Sequence, residues 1–212
     1  MLTLYGHPIS SFTWKALIAL YENDTPFEPF VIDQDSYAEF KALWPIAKFP
    51  VLRDSDRGVL VTEASVIIEY LDVHYPGRTR FLPNALDAAL EVRRWDRFFD
   101  LYVNTPMSKI VTDRIRPEGG ADPHGVEEAR ALVRTAYDVL EQHLREQPFA
   151  VGERFSMADC AAAPALYYAV RNVPLNGAHP RIDAYRTRLI ERPSFARALE
   201  EAQPLFHIYP GD

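Results

Sequence analysis

The stretch from Trp44 to Leu52 contains residues whose types and order suggest a chemical role. Pro50 precedes a short apolar run, Val51-Leu52, that is typical of the start of a strand. An X-Pro bond adopts the cis form at modest cost, and a cis bond turns the chain sharply. Such a turn would expose the backbone of Phe49 at a sheet edge, where an extended, peptide-like ligand could pair with it. The alternative is an ordinary proline at a strand start, which Pro50 taken alone favours.

The elements that precede this stretch form a βαβ pattern. Residues 2–5 and 27–32 predict two strands, and Gly6-His7-Pro8 ends the first. Between the strands, Ser10 or Ser11 is a natural N-cap for an apolar helix, because a serine oxygen accepts a hydrogen bond from an early backbone N–H. A βαβ unit has a right-handed crossover and parallel strands.

The elements that follow predict a hairpin between two helices. Asp35-Ser36 and Glu39 form a capping-box pattern before a helix over 37–43. Strands over 51–53 and 59–62 are joined by a short polar loop, which is typical of an antiparallel hairpin. A further helix begins near residue 64 and completes the order β-α-β-α-β-β-α.

Composition excludes several classes of protein and of site. The formal net charge of −7 argues against nucleic-acid binding, which needs a basic excess. Cys160 is the single cysteine, so no intrachain disulfide and no Cys/His zinc site of the usual spacing is expected. The sequence shows no signal-peptide pattern and no apolar run of about 18 residues. We therefore expect a cytoplasmic protein with no membrane span and no bound metal.

Three motifs, taken with the order of elements, resemble the cytosolic glutathione transferases. They are the serines before the first helix, Lys-Phe-Pro-Val-Leu at 48–52, and Glu-Ala-Ser followed by Ile-Glu-Tyr-Leu within 63–71. Among the serine-type classes, residues 10–15 are most similar to the zeta signature Ser-Ser-Cys-Ser-Trp-Arg, and depart from it at Phe12, Thr13 and Lys15.

The resemblance implies a two-domain fold and a set of partners. It implies a thioredoxin-like α/β domain with a mixed four-stranded sheet over residues 1–78, a linker over 79–84, and an all-α helical bundle over 85–212. It also implies glutathione as co-substrate, a small hydrophobic electrophile as second substrate, and a C2 homodimer.

The resemblance further implies that a serine hydroxyl stabilises the glutathione thiolate, which is the nucleophile. A free cysteine thiol has a pKa of about 8.5, so little of it is ionised at neutral pH. Alignment with the zeta signature favours Ser10 as the donor, with Ser11 as the alternative. The helix N-terminus adds partial positive charge. The competing interpretation is that both serines only cap the helix.

The resemblance also implies which residues of the other motifs contact glutathione. Phe49, before a cis Pro50, is expected to pair its backbone with the cysteinyl part, and Lys48 to reach the glycine carboxylate. Glu63 is expected to meet the γ-glutamyl amino group.

Ala64 departs from the family, which usually has a serine there whose hydroxyl binds the γ-glutamyl carboxylate. Losing that hydrogen bond could weaken binding by about 1.5–3 kcal/mol. Ser65, the next residue, is the candidate that could compensate.

The second half of the chain has a helical pattern. A long helix is predicted from Ala85 onward to the break at Gly119-Gly120, and others over 126–144, 180–191 and 194–201. Ser156 and Asp159 form a Ser-x-x-Asp capping box, expected to be structural, at the start of an apolar helix. Cys160 on that helix is expected to be buried and inert.

The electrophile pocket is expected between the loop after the first strand and the long helix. Its candidate residues are mostly apolar or aromatic, which suits a hydrophobic substrate. They are His7, Ile9, Phe12, Tyr102, Thr105, Pro106 and Ser108.

The leading hypothesis is a glutathione transferase acting on a hydrophobic electrophile. A glutathione-dependent isomerase of the maleylacetoacetate type is the first alternative; its acidic substrate would favour cationic pocket residues, of which Lys15 is the nearest. A non-catalytic ligand-binding or interaction protein is the second alternative, and Ala64 is its main support.

Overall fold

A mixed sheet forms the first half of the molecule. The computed structural model describes residues 1–145 and 147–210; residues 211–212, the end of the predicted second domain, lie outside them. In that part of the chain, strands Leu2–Gly6 (β1), Glu28–Val31 (β2), Val51–Asp54 (β3) and Val59–Thr62 (β4) form a sheet of order β2-β1-β3-β4. β1 pairs with β2 in parallel and with β3 antiparallel, and β3 pairs antiparallel with β4. The predicted βαβ unit and hairpin are confirmed.

The helix Ser11–Glu22 (α1) is buried on both sides. Ser10 is its N-cap, with extended backbone, and the Ser10 hydroxyl accepts a hydrogen bond from the Thr13 N–H at 3.3 Å. Trp14 and Ile18 are fully buried, because the helix packs against helix 64–74 and against the later helices 157–172 and 193–202. The helix that carries the two serines is therefore held from both sides.

The helix Tyr37–Leu43 (α2) has the predicted bounds but not the predicted cap. The Ser36 side chain caps nothing in α2, so the capping box predicted there is wrong. The Ser36 side chain bonds Asp33 instead. The Asp33 N–H donates to the Ser36 hydroxyl at 2.8 Å, and that hydroxyl donates to the Asp33 carboxylate at 2.7 Å. A local turn replaces the capping box.

The chain on either side of the hairpin has two unusual backbone features. The Phe49–Pro50 peptide bond is cis, as predicted, and β3 begins at the next residue. After β4, Glu63 has φ 66° and ψ 119°, a rare conformation for a residue with a side chain, and directly precedes helix Ala64–His74 (α3).

The predicted long helix is two helices joined by a π-helical segment. Helix Leu86–Phe98 (α4) leads into Phe99–Asn104, which is π-helical, and then into Thr105–Asp113 (α5). Pro106 explains the change, because a proline has no N–H and its ring disfavours a regular α-helical turn before it. The Thr105 N–H instead bonds the Asp100 carbonyl five residues back. The extra residue shifts the register of α5.

Four further helices lie in the described part of the helical half. They are Pro123–His143 (α6), Met157–Asn172 (α7), Pro180–Ile190 (α8) and Pro193–Ala202 (α9), with a 3-10 helix at Gln203–Ile208. Helix α7 is buried along almost its whole length, and it contacts α1, α4, α5 and α8.

The start of α7 has the predicted capping box. The Ser156 N–H donates to the Asp159 carboxylate at 2.8 Å, and the reciprocal bond from the Asp159 N–H to the Ser156 side chain is also present. Asp159 also accepts hydrogen bonds from the Ala150 N–H and the Tyr185 hydroxyl, so it joins α7 to α8. Cys160 is fully buried, and burial raises the pKa of its thiol. The prediction of a buried thiol is confirmed.

Candidate functional site

A cleft lies between the N-terminus of α1, the turn before Pro50 and helix α5. Its larger cavity has a volume of about 470 Å³. The residues lining it come from both halves of the chain. They are Ile9, Ser10, Ser11, Phe12, Ala47, Lys48, Phe49, Thr105, Met107, Ser108, Val111, Thr112, Tyr168 and Tyr209.

A smaller cavity of about 240 Å³ adjoins the larger one. Phe12, Lys48 and Phe49 line both, so the two are neighbouring parts of one cleft. The smaller cavity continues to Glu63 and Ala64, at the start of α3. The cleft therefore connects the N-termini of two helices, and both present unpaired backbone N–H groups and partial positive charge.

Ser10 and Ser11 lie where the larger cavity meets α1. The Ser10 oxygen accepts the Thr13 N–H, which fixes its position and leaves its own O–H free to donate. The Ser11 side chain has no hydrogen-bond partner among the described residues. Two hydroxyl donors are thus available to an anion at this helix start.

Phe49 provides a free edge of backbone. Neither its N–H nor its C=O has a protein partner within the described part of the chain, and the residue is half-buried. A backbone donor and acceptor exposed in a cleft are what an extended peptide needs in order to pair by β-addition. Lys48, beside it, is exposed and carries a positive charge into both cavities.

The far end of the smaller cavity has a carboxylate but no hydroxyl. Glu63 is exposed, and its positive φ lets the chain turn into α3 while its side chain stays at the cavity. Ala64 is 6 % exposed and offers only its N–H, at the first position of α3. This is the end at which the sequence departs from the family pattern.

Ser65 is not among the residues that line either cavity. Its hydroxyl accepts a hydrogen bond from Lys15 Nζ at 2.8 Å and donates one to Asp96 Oδ2, also at 2.8 Å. The Arg97 guanidinium contacts it as well. Ser65 therefore belongs to a buried polar cluster between α1, α3 and α4. It does not supply the hydroxyl that Ala64 lacks.

Lys15 lies in the same buried cluster. Its side chain is 1 % exposed, and Nζ is 2.6 Å from Asp96 Oδ1 and 2.7 Å from Asp100 Oδ2. Burial raises the pKa of Asp100, while the positive charges of Lys15 and Arg97 act in the opposite direction. Lys15 thus contributes no charge to the cleft, contrary to its suggested role towards an acidic substrate.

The electrophile-pocket predictions divide into two groups. Ile9, Phe12, Thr105 and Ser108 line the larger cavity, whereas His7, Tyr102 and Pro106 do not.

The structure explains why two of these residues do not line the larger cavity. Tyr102 is 49 % exposed and packs on Phe98, because the π-helical segment rotates it away. The His7 Nδ1 accepts a hydrogen bond from the Ile9 N–H at 3.4 Å, and burial lowers the pKa of His7.

The sequence did not indicate several residues of the cavity wall: Ala47, Met107, Val111, Thr112, Tyr168 and Tyr209. The Tyr168 ring stacks between Trp14, with centroids 4.9 Å apart, and Tyr209, with centroids 5.0 Å apart. The Tyr168 hydroxyl donates to the Ile9 carbonyl at 2.6 Å, and the Tyr209 hydroxyl accepts from Asn172 at 2.9 Å. The C-terminal segment is thereby fixed against the cavity.

The described residues lack a metal-binding cluster and a membrane-spanning helix. No group of three or more His, Cys, Asp or Glu side chains there could hold a metal ion. No helix in the same residues is long and apolar enough to cross a membrane.

Comparisons with known proteins identify relatives of both halves. Family models for the glutathione S-transferase N-terminal domain and C-terminal domain match residues 4–79 and 123–188. A glutathione S-transferase-like protein, LUC7 of Fusarium, is 31 % identical over 151 residues, which are 70 % of this chain and 66 % of that protein. A probable maleylacetoacetate isomerase of Vibrio cholerae is 28 % identical, covering 96 % of this chain and 97 % of its own.

A solved structure extends the similarity to three dimensions. The glutathione S-transferase of Methylobacillus flagellatus with glutathione bound has a TM-score of 0.83 and 25 % identity. The match covers 93 % of this chain and 98 % of that one.

Proposed function

The chain belongs to the glutathione S-transferase family, and from that premise we propose that it conjugates the thiolate of glutathione to a small hydrophobic electrophile. One observation carries the proposal: a single cleft joins the hydroxyls at the start of α1, the unpaired backbone of Phe49 and the carboxylate of Glu63. These groups match, in order, the thiol, the peptide backbone and the amino end of an extended glutathione. The related structure with glutathione bound supports glutathione as the ligand.

The proposed chemistry begins with the thiol. Ser10 donates a hydrogen bond to the glutathione sulfur, and the N-terminus of α1 adds positive potential, so the thiol loses its proton to solvent more readily. The thiolate attacks the electrophilic carbon; with an aryl halide the new C–S bond forms and halide leaves. Phe49 pairs with the cysteinyl backbone, and Lys48 and Glu63 bind the two charged ends.

A homodimer working in the cytoplasm, with a role in detoxification, completes the proposal. Apolar side chains are exposed along neighbouring helices: Val66 and Val73 on α3, 51 % and 68 % exposed, and Leu86 and Leu90 on α4, 80 % and 61 % exposed. A second copy of the chain would cover such a surface. Sedimentation equilibrium tests this part independently of activity.

The isomerase reaction remains the second candidate, because the Vibrio cholerae relative carries that name. Among the described residues that line the cleft, Lys48 is the one cationic side chain, which gives little charge for an acidic substrate. The hydrophobic wall of Met107, Val111 and Tyr209 favours conjugation instead.

Calorimetric titration with glutathione, followed by turnover assays, tests the proposal. We expect binding and turnover of an activated aryl halide or an isothiocyanate. Binding without turnover of either, together with isomerisation of maleylacetoacetate, would favour the isomerase. Absence of glutathione binding at millimolar concentration would contradict both enzymes and leave the non-catalytic alternative.

A further inference from the structure

A third cavity, of about 320 Å³, lies in the helical half between the end of α6 and helix α8. Its residues are Leu144, Arg145, Gln147, Pro148, Arg181, Ala184, Tyr185 and Arg188, and none of them lines the glutathione cleft. Three are arginines, in a chain whose formal net charge is −7. This local concentration of positive charge runs against the charge of the whole protein.

The helix spacing explains how the arginines surround the cavity. Arg181, Ala184 and Arg188 are three and four residues apart on α8, so they share one face of the helix. The small Ala184 side chain leaves a gap between the two guanidinium groups. Arg145 lines the same cavity from the chain that follows α6.

These arginines have few acidic partners. Arg181 pairs with Glu141, Nη1 to Oε1 at 3.5 Å. Arg188 donates to the Pro148 carbonyl at 2.7 Å, and no carboxylate pairs with it among the described residues. Arg145 has no hydrogen bond or ion pair within the same residues. Some other exposed arginines differ from them: Arg93, Arg94, Arg134 and Arg197 each have a carboxylate partner.

The floor and wall of the cavity are fixed. Leu144 and Tyr185 are buried, and the Tyr185 hydroxyl donates to Asp159 at 2.6 Å. The Gln147 amide is engaged on both sides, donating to the His143 carbonyl and accepting from the Gly152 N–H. The charged donors that face the cavity are guanidinium groups, and Arg145 and Arg188 have no carboxylate partner among the described residues; their chemistry is that of an anion site.

We infer that this cavity binds a small phosphorylated metabolite through a phosphate or diphosphate group held by Arg145 and Arg188, with Arg181 as a third contact. The guanidinium fork matches phosphate oxygens in pairs, and the charge assistance strengthens those bonds. Its volume of about 320 Å³ lies in the range of pockets that take a small molecule. The site stands apart from the proposed glutathione chemistry, since it shares no residue with the cleft.

Titration of the full chain with inorganic pyrophosphate in metal-free buffer of low ionic strength tests the inference. We expect millimolar or tighter binding, weakened about 10- to 100-fold in Arg145→Gln and in Arg188→Gln, because each loses a charge-assisted bond. The sharpest variant is Ala184→Glu, at an exposed helix position. It places a carboxylate four residues before Arg188, an arrangement that stabilises a helix, and should abolish binding.

Two controls separate site binding from general charge effects. Ala184→Gln has the same size without charge, and Arg134→Gln removes one positive charge outside the cavity; both should keep the wild-type affinity within about threefold. Unchanged glutathione binding in Ala184→Glu would show that the fold is intact. Absence of pyrophosphate binding at about 10 mM, full binding by Ala184→Glu, or an equal loss in Arg134→Gln would each overturn the inference.

Discussion

Lys15 on α1 and Asp96 on α4 form a buried ion pair: Lys15 Nζ lies 2.6 Å from Asp96 Oδ1, and each side chain is 1 % exposed. Asp100 and Ser65 complete the cluster through the same ammonium group. The cluster joins the helix that carries the two serines, the helix that begins at Ala64, and the first helices of the C-terminal half. It therefore fixes the relative position of both ends of the cleft.

Removing the ammonium group should destabilise the whole molecule. Lys15→Met keeps most of the side-chain volume but removes the buried cation of Asp96 and Asp100, which leaves them only the half-exposed Arg97 among the described residues. We expect a loss of about 3–5 kcal/mol in the free energy of unfolding, measured by urea denaturation. The matched control is Arg134→Met, which breaks an exposed pair with Glu127 and should cost less than about 1 kcal/mol. Equal losses in the two variants would contradict the structural role of Lys15.

Ser10 has two separable roles, as N-cap and as proposed thiolate donor. Ser10→Ala removes both, whereas Ser10→Gly removes the hydroxyl but keeps a residue that is nearly as good at the N-cap. Both variants should lower kcat/KM about 10²- to 10³-fold, the usual effect of losing one donor to a developing anion. Only Ser10→Ala should also lose about 1 kcal/mol of stability.

Steady-state kinetics and urea denaturation of the two variants distinguish the outcomes. If both kept wild-type kcat/KM, Ser10 would be only a cap. Ser11→Ala would then be the variant to lose activity, without a change in stability, since Ser11 makes no side-chain hydrogen bond among the described residues.

Features encoded by neighbouring residues could be predicted from the sequence. The Ser156–Asp159 box and the β3–β4 hairpin depend on residues a few positions apart, and the structure has both. The capping box predicted at Ser36 was wrong, because Asp33, equally near in the chain, bonds the Ser36 hydroxyl instead. A local pattern indicates a cap only when no closer partner competes.

Features that depend on distant residues could not be predicted. The sequence indicated no acidic partner for Lys15, because Asp96 and Asp100 lie more than eighty residues away in the chain. Tyr209 could not be placed on the cavity wall without knowing that its ring stacks on Tyr168. Helical spacing also gave the wrong face for Tyr102, because the π-helical segment before α5 adds a residue to the turn.

Glu63 should show opposite effects on stability and on binding. Its φ of 66° costs an ordinary residue about 1–3 kcal/mol, and glycine avoids this strain but adds about 0.5–1 kcal/mol of chain entropy to the unfolded state. Glu63→Gly should therefore be more stable by about 1 kcal/mol, by urea denaturation. Its glutathione affinity should fall about 10- to 100-fold as the carboxylate is lost. If Glu63→Gly lowered both the free energy of unfolding and the glutathione affinity, Glu63 would instead support the fold.

A substitution at Ala64 should increase the affinity for glutathione. Ala64→Ser places a hydroxyl at the start of α3, beside Glu63 and the cavity, where it could donate to the γ-glutamyl carboxylate. One charge-assisted hydrogen bond is worth about 1.5–3 kcal/mol, so the dissociation constant for glutathione should fall about 10- to 100-fold. Calorimetric titration measures this directly.

The control for Ala64→Ser is Ala64→Val, which adds bulk without a donor and should bind no better than the wild type. Glutathione with its γ-glutamyl carboxylate converted to an amide gives a second comparison. Because the neutral amide cannot form the charge-assisted bond, Ala64→Ser should bind it with little advantage over the wild type. If the serine variant gained nothing with glutathione itself, the carboxylate would lie elsewhere in the cleft, and the proposed orientation of the tripeptide along Phe49 towards α3 would be wrong.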